Sequence, residues 1–198
     1  MITIYDLKPK FQNLLRPMVD TLAKRGVSAN QVTYAAVVLS AFVGAAIMVT
    51  DGALWSLLLL PVSLLIRMGL NAMDGMLAKE HHMQSDLGAI LNEMGDVVSD
   101  VVMYLPLALL ANVPAVWLVL FVIVGIFTEM AGVLAAVVGT ERRYDGPMGK
   151  SDRAFVIGLI ALLLGLGVET GFWLETLLII ATLSGVWTTF RRVKGGLS

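Results

Sequence analysis

Cysteine is absent from this 198-residue chain, histidine occurs twice, and only 15% of the residues are charged. Without a thiol there can be no disulfide, no thiolate nucleophile and no zinc–thiolate site. The 14 Lys and Arg are matched by 15 Asp and Glu, so the excess of positive charge that a nucleic-acid partner requires is also missing. The shortage of charge excludes an ordinary soluble domain, in which about 25% of residues are charged and roughly 45–50% apolar. Here 58% are hydrophobic and the mean hydropathy is +0.83. The apolar residues fall in six blocks, 34–50, 53–78, 87–111, 114–139, 154–168 and 171–190, most of them near the ~20 residues that cross a bilayer as a helix. The pattern predicts an all-α integral membrane protein of six transmembrane helices, with residues 1–198 forming a single membrane domain.

Ahead of the first block, Phe11, Leu14, Leu15, Met18 and Leu22 recur at helical spacing among Lys10, Arg16 and other polar residues. That spacing describes an amphipathic helix on the membrane surface within 1–27. With no continuous apolar run in this stretch, no signal peptide is expected. Ser28 and Gln31 have the spacing of a capping box at the start of the six-helix bundle, 28–190; Asn30 and Thr33 beside them are open between a plain helix start and a functional role. Residues 191–198 read as a cytoplasmic tail. Lys and Arg gather in alternate connections: Lys8, Lys10, Arg16, Lys24 and Arg25, then Lys79, then Arg142, Arg143, Lys150 and Arg153, then Arg191, Arg192 and Lys194. The connections near Asp51, Asn112 and Glu169 hold none. By the positive-inside rule both termini, and any site at that end, face the cytoplasm. No internal repeat of the kind that builds many transporters is present.

Charge inside the blocks is rare and costly, which makes it a functional candidate. The second block carries Arg67, Asn71 and Asp74, the third Asn92, Glu93, Asp96 and Asp100, and the fourth Glu129. At about 100° per residue, Arg67, Asn71, Asp74, Gly75 and Ala78 share one helix face, while Gly88, Asn92 and Asp96 follow one another on a second. Gly88 leaves room for something bulky to approach the backbone. Counted inward at ~1.5 Å per residue, Asp74 and Asn92 lie roughly 8–9 Å deep and Asn71 and Asp96 roughly 12–15 Å deep, so the four can converge. Oxygen ligands without His or Cys suit a hard cation, Mg²⁺ or Mn²⁺. Such an ion is most useful against a pyrophosphate, with a carboxylate left to activate a hydroxyl. Other polar residues keep two readings. Asp100 can pair with Arg67 or join a metal; Glu129 can meet an acceptor or Arg67; Arg142 and Arg143 can serve sidedness or phosphate. Glu93 reads as an inter-helix hydrogen-bond partner, and His81 and His82 as solvated. Gly125, Gly132 and Gly139, seven apart, mark close helix packing, either within the bundle or across a dimer.

The string Asn71-x-x-Asp74-Gly75-x-x-Ala78-Lys79, eight residues, Gly88-x-x-x-Asn92-x-x-x-Asp96 resembles the CDP-alcohol phosphotransferase signature, D-x-x-D-G-x-x-A-R, about eight residues, G-x-x-x-D-x-x-x-D. The resemblance implies a six-helix membrane enzyme, commonly a homodimer. Such an enzyme uses divalent metal to move a phosphoalcohol from a CDP-linked donor to an acceptor hydroxyl and releases CMP. By position, it implies Asn71, Asp74, Asn92 and Asp96 at the metal, Asp74, Gly75, Ala78, Lys79 and Gly88 at the CDP, and Asp96 as general base. Asn30 and Thr33 would lie at the cytidine end, and Lys150 and Arg153, with Gly149 and Ser151, at acceptor or lipid phosphate. Three positions depart from the signature. Asn71 and Asn92 can ligate through a carbonyl oxygen but bring no charge, which favours one ion or a weakened second; Lys79 keeps charge but loses the bidentate fork of Arg. The function expected is phosphatidyl transfer from CDP-diacylglycerol to a polar hydroxyl acceptor in a prokaryotic inner membrane. A soluble CDP-alcohol donor with a lipid acceptor, a cation transporter using Asp74, Asp96 and Asp100, and a silent CDP-lipid binder are the alternatives.

Overall fold

The computed structural model describes residues 4–197. Among these every regular element is a helix: α1 Ile4–Lys24, α2 Ala29–Val49, α3 Leu54–Glu80, α4 Asp86–Tyr104, a 3-10 turn Leu105–Leu109, α5 Ala115–Val137, α6 Lys150–Gly165 and α7 Phe172–Gly196. The predicted capping box opens α2: the Gln31 N–H donates to Ser28 Oγ at 3.3 Å and the Ser28 N–H to Gln31 Oε1 at 2.9 Å. Two of the otherwise orphaned amides at the helix start are thereby satisfied. At its other end Asp51 and Gly52 take φ values of 49° and 72°, and the Gly52 N–H donates to Ile47 O. This reversal needs a residue that tolerates the left-handed region.

Helix α2 is the central strut, packed against both α3 and α4. A Cβ on Gly44 would run into the Val102 carbonyl oxygen, so only glycine lets α2 and α4 approach this closely. Around the far half of α2 lies the main apolar core, with Val43, Ile47, Leu60, Met103, Leu107, Phe121, Ile157 and Leu178. A smaller apolar cluster at the other end seats α1, whose Leu15 and Val19 are buried with Val32, Met73, Met76 and Leu77. The Arg16 guanidinium also reaches Glu80 at 2.9 Å. Leu14 and Met18 stay exposed on the opposite side of α1.

Between the two clusters the interior is ionic: Arg67, Asp96, Asp100, Glu129, Arg153 and Arg192 are all buried. Large apolar side chains face outward, among them Phe42, Leu65, Ile90, Phe127, Phe155 and Trp187. This inverts the arrangement of a water-soluble protein and matches a hydrocarbon surround. Six spans were expected, but among the described residues four helices, α2, α3, α5 and α7, are long and apolar enough to cross a membrane. Helix α4 carries Asp86, Glu93, Asp96 and Asp100 within 19 residues, and α6 has only 16 residues and a charged first turn. The stretch read as a tail continues α7 as far as Gly196 and buries Arg192.

Candidate active site

The two polar faces predicted on α3 and α4 meet on either side of α2. Thr33 of α2 donates its hydroxyl to Asp74 Oδ2 at 2.8 Å. The Asn71 amide donates to Asp96 Oδ1 at 2.7 Å, and the Lys150 ammonium, from the first turn of α6, reaches Asp96 Oδ2 at 2.5 Å. Arg67 lies 3.5 Å from Asp96 Oδ1. A Cβ at Gly75 would meet nothing within 4 Å, whereas one at Gly88 would lie 2.8 Å from Asn30 Oδ1. Gly75 thus leaves bare backbone open to a ligand, and Gly88 lets the starts of α2 and α4 close together. Asn92 and Ala78 are half-buried, Lys79 is exposed at the end of α3, and the Asn92 side chain makes no hydrogen bond among the described residues.

The donor set fits one hard cation. Asn71 commits its amide nitrogen to Asp96, which leaves its carbonyl oxygen free, and Asp74 and Asn92 bring oxygen ligands only. It does not form an all-protein cage: among the described residues no three His, Cys, Asp or Glu side chains cluster around a common point. Mg²⁺ commonly binds in this way, through one or two carboxylates plus substrate phosphates.

Beyond Asp96 the ion pairs run on without a break. Arg67 bonds Asp100 at 2.7 Å, Asp100 bonds Arg153 at 3.1 Å, and Arg153 bonds Glu129 at 3.0 Å. Glu129 also takes Arg192 at 3.3 Å and Arg142 at 3.0 Å, and Arg142 ends the series on Glu93 at 2.5 Å. Arg153, expected at a phosphate, is 3% exposed and bonds Asp100, Glu129 and the Thr128 hydroxyl; it faces the interior, because its side chain leaves the first turn of α6 toward α4 and α5. Asp100 does pair with Arg67, as one of its two readings had it, whereas the partners of Glu129 are other arginines. Glu93, read as an inter-helix partner, pairs instead with Arg142 of the connection after α5. Arg142, in the connection after α5, also lies over the Tyr144 ring at 4.4 Å. Burial works against its charge, yet Tyr144, Glu93 and Glu129 together hold its pKa above the ordinary value.

Sequence reasoning missed Arg192, which also donates to the Thr128 carbonyl at 2.7 Å. The available signal was the glycine repeat. A Cβ at Gly125 would press on the Arg153 side chain at 3.0 Å, and one at Gly132 would meet Arg143 O at 2.6 Å and Arg192 at 3.3 Å. Two of the three glycines therefore make room for arginines of this same chain. Gly139 instead ends the helix region at φ 96°.

The sequence profile of CDP-alcohol phosphatidyltransferases matches residues 27–187, a stretch that contains the whole cleft and all of the ion-pair series except Arg192. The chain belongs to the CDP-alcohol phosphatidyltransferase family. It is a transferase embedded in the membrane, in a family that generally uses divalent metal ions. It is 43% identical over 196 residues to the inner membrane protein YnbA of Escherichia coli (strain K12), covering 99% of this chain and 97% of that one. Its fold is similar to that of Mycobacterium tuberculosis phosphatidylinositol phosphate synthase (PgsA1), whose crystal structure has CDP-DAG bound. The TM-score is 0.78 over 92% of each chain, at 15% identity, a likeness of fold.

Proposed function

We propose that this CDP-alcohol phosphatidyltransferase moves a phosphatidyl group from CDP-diacylglycerol to a polar hydroxyl acceptor and releases CMP. The observation that carries the reading is the meeting of Asn71 and Asp74 of α3 with Thr33 of α2 and Asp96 of α4, beside the open backbone of Gly75. That cleft lies part-way into an apolar-surfaced bundle, where a lipid donor can enter from the side. The CDP-DAG bound to the structural neighbour supports the same donor.

Asp74, Asn71 and Asn92 would hold a divalent ion, Mg²⁺ or Mn²⁺, which when bound supplies charge neutralisation of the pyrophosphate. The chain's own residues do the rest. Thr33 orients Asp74 by its hydrogen bond, and the bare backbone at Gly75 admits the phosphates. Asp96 accepts the proton of the acceptor hydroxyl. The hydroxyl oxygen then bonds to the phosphorus that carries diacylglycerol, and the phosphorus–oxygen bond to CMP breaks, with CMP keeping the electron pair. The Lys150 ammonium, paired with Asp96 Oδ2 at 2.5 Å, keeps that carboxylate turned toward the acceptor.

In this reading α2 to α7 all cross the membrane, α1 lies at the interface, and the Lys- and Arg-rich end with both termini is cytoplasmic. Support comes from α4 and α6, in which Asp96, Asp100 and Arg153 turn inward while Ile90, Met94, Phe155 and Leu162 turn out. A cation relay is disfavoured, because Asp96 and Asp100 already share Arg67. The test is CMP release by purified protein from CDP-diacylglycerol vesicles, with an acceptor panel and with divalent metal added or chelated. Release that needs both acceptor and metal is expected; none under any combination would discard the reading.

A further inference from the structure

The ion pairs around the cleft also bear on the acceptor, provided the phosphatidyl-transfer reading holds. From Glu93 the series passes through Arg142, Glu129, Arg153, Asp100 and Arg67 to Asp96 and ends on Lys150, with Arg192 attached at Glu129. Each of the cations that α3, α6, α7 and the connection after α5 send inward, Arg67, Lys150, Arg153, Arg192 and Arg142, already has a carboxylate within 3.5 Å. With Asp74 included, the carboxylates Asp74, Glu93, Asp96, Asp100 and Glu129 match these cations one for one. Of the other basic residues, Arg16 and Arg143 pair with Glu80 and Asp145, and Lys10, Lys24, Arg25, Lys79, Arg191 and Lys194 are exposed.

A pyrophosphate entering with a divalent ion brings its own compensation. An acceptor phosphate brings none. To bind, it would have to take Arg142 or Lys150 from Glu93, Glu129 or Asp96 and strand a carboxylate in a site of low dielectric. A neutral hydroxyl compound meets the opposite situation, since the same carboxylates accept its O–H groups without losing their cations.

We propose that the acceptor is an alcohol without a phosphate group, a neutral polyol or a zwitterionic hydroxy amine, bound beside Asp96 and Glu93. The experiment uses the full chain in CDP-diacylglycerol vesicles and matched acceptor pairs, glycerol against glycerol 3-phosphate and inositol against inositol 3-phosphate, with serine as the zwitterion. CMP release and the lipid product are both followed. An unphosphorylated member or serine should exceed every phosphorylated acceptor in kcat/KM by about tenfold or more, from the penalty of stranding a carboxylate. A phosphorylated acceptor that turns over faster overturns the proposal and leaves phosphatidyl transfer intact. A calorimetric titration with inorganic phosphate decides the charge argument without turnover. The wild type should show no binding, and E93Q, which releases Arg142 from one of its two carboxylates, should gain it. Phosphate binding to the wild type overturns the proposal. Absence of CMP release with every acceptor would sink phosphatidyl transfer, and the phosphate titration would still decide the charge argument.

Discussion

In the proposed transfer the chemistry converges on Asp96, which is held by Lys150 and Asn71 and approached by Arg67. Asp96→Asn removes the acceptor for the hydroxyl proton, so turnover should fall by roughly 10²–10⁴, the usual worth of a general base. CDP binding, measured by calorimetry, should change little, since the proton in question belongs to the acceptor. Wild-type turnover by the variant across a pH series would rule the assignment out. The two asparagines that depart from the family signature are not equivalent. Among the described residues Asn92 makes no side-chain hydrogen bond, whereas Asn71 donates to Asp96 at 2.7 Å. A carboxylate at position 92 adds charge for a cation without breaking any bond, but at position 71 it replaces a donor with a like charge beside Asp96. Asn92→Asp should therefore tighten Mg²⁺ binding in the presence of CMP more than Asn71→Asp does. Equal or reversed effects in a calorimetric titration would show that the two oxygens do not serve a common ion as assigned.

At the scale of helices, the buried ion pairs are what ties the bundle across its middle. Asp100 of α4, Glu129 of α5 and Arg153 of α6 form one unit, and Arg192 ties α7 to it. Removing one member of such a unit leaves buried charge without compensation. Arg153→Met should lower stability by about 3–5 kcal/mol on that account. Arg16→Met, which breaks the exposed pair between α1 and α3, should change it by only about 0–1 kcal/mol. Unfolding in detergent followed by circular dichroism compares the two, and similar losses would mean that the interior pairs do not hold the helices together. The glycines act at this scale too: Gly125 and Gly132 shape α5 around Arg153 and Arg192, so the spacing of seven is the footprint of two arginines.

For the molecule as a whole, the proposed crossing of the bilayer by α2 to α7 can be tested directly, because the chain has no cysteine. Single cysteines can be introduced at exposed positions, Gln84 before α4, Ala111 before α5, Glu141 before α6 and Glu169 before α7, and labelled in intact cells with an impermeant maleimide. If α4 and α6 both span, Ala111→Cys and Glu169→Cys should label from outside, and Gln84→Cys and Glu141→Cys only after the inner membrane is opened. Labelling of Gln84→Cys and Ala111→Cys from the same side would mean that α4 does not cross. The outward apolar faces of α4 and α6 favour the first result despite their modest hydropathy, because a paired inward charge does not meet lipid.

Much of this protein could be read from its sequence because the controlling physics is local or periodic. Apolar blocks report the membrane, Ser28 and Gln31 report a helix start through bonds three residues apart, and recurrence every three or four residues places Asn71 with Asp74 and Asn92 with Asp96 on shared faces. What periodicity cannot supply is the partner of a long cationic side chain. Lys150, Arg142 and Arg192 sit in connections or at a helix end, where the sequence pattern reads them as markers of sidedness. Only when the chain after α5 folds back over α4, and α7 continues past its apolar block, do they reach Asp96, Glu93 and Glu129. Those contacts span from 13 to 63 residues of chain, and the tertiary packing of α4 through α7 alone determines that the cations of the interior are already matched by its carboxylates.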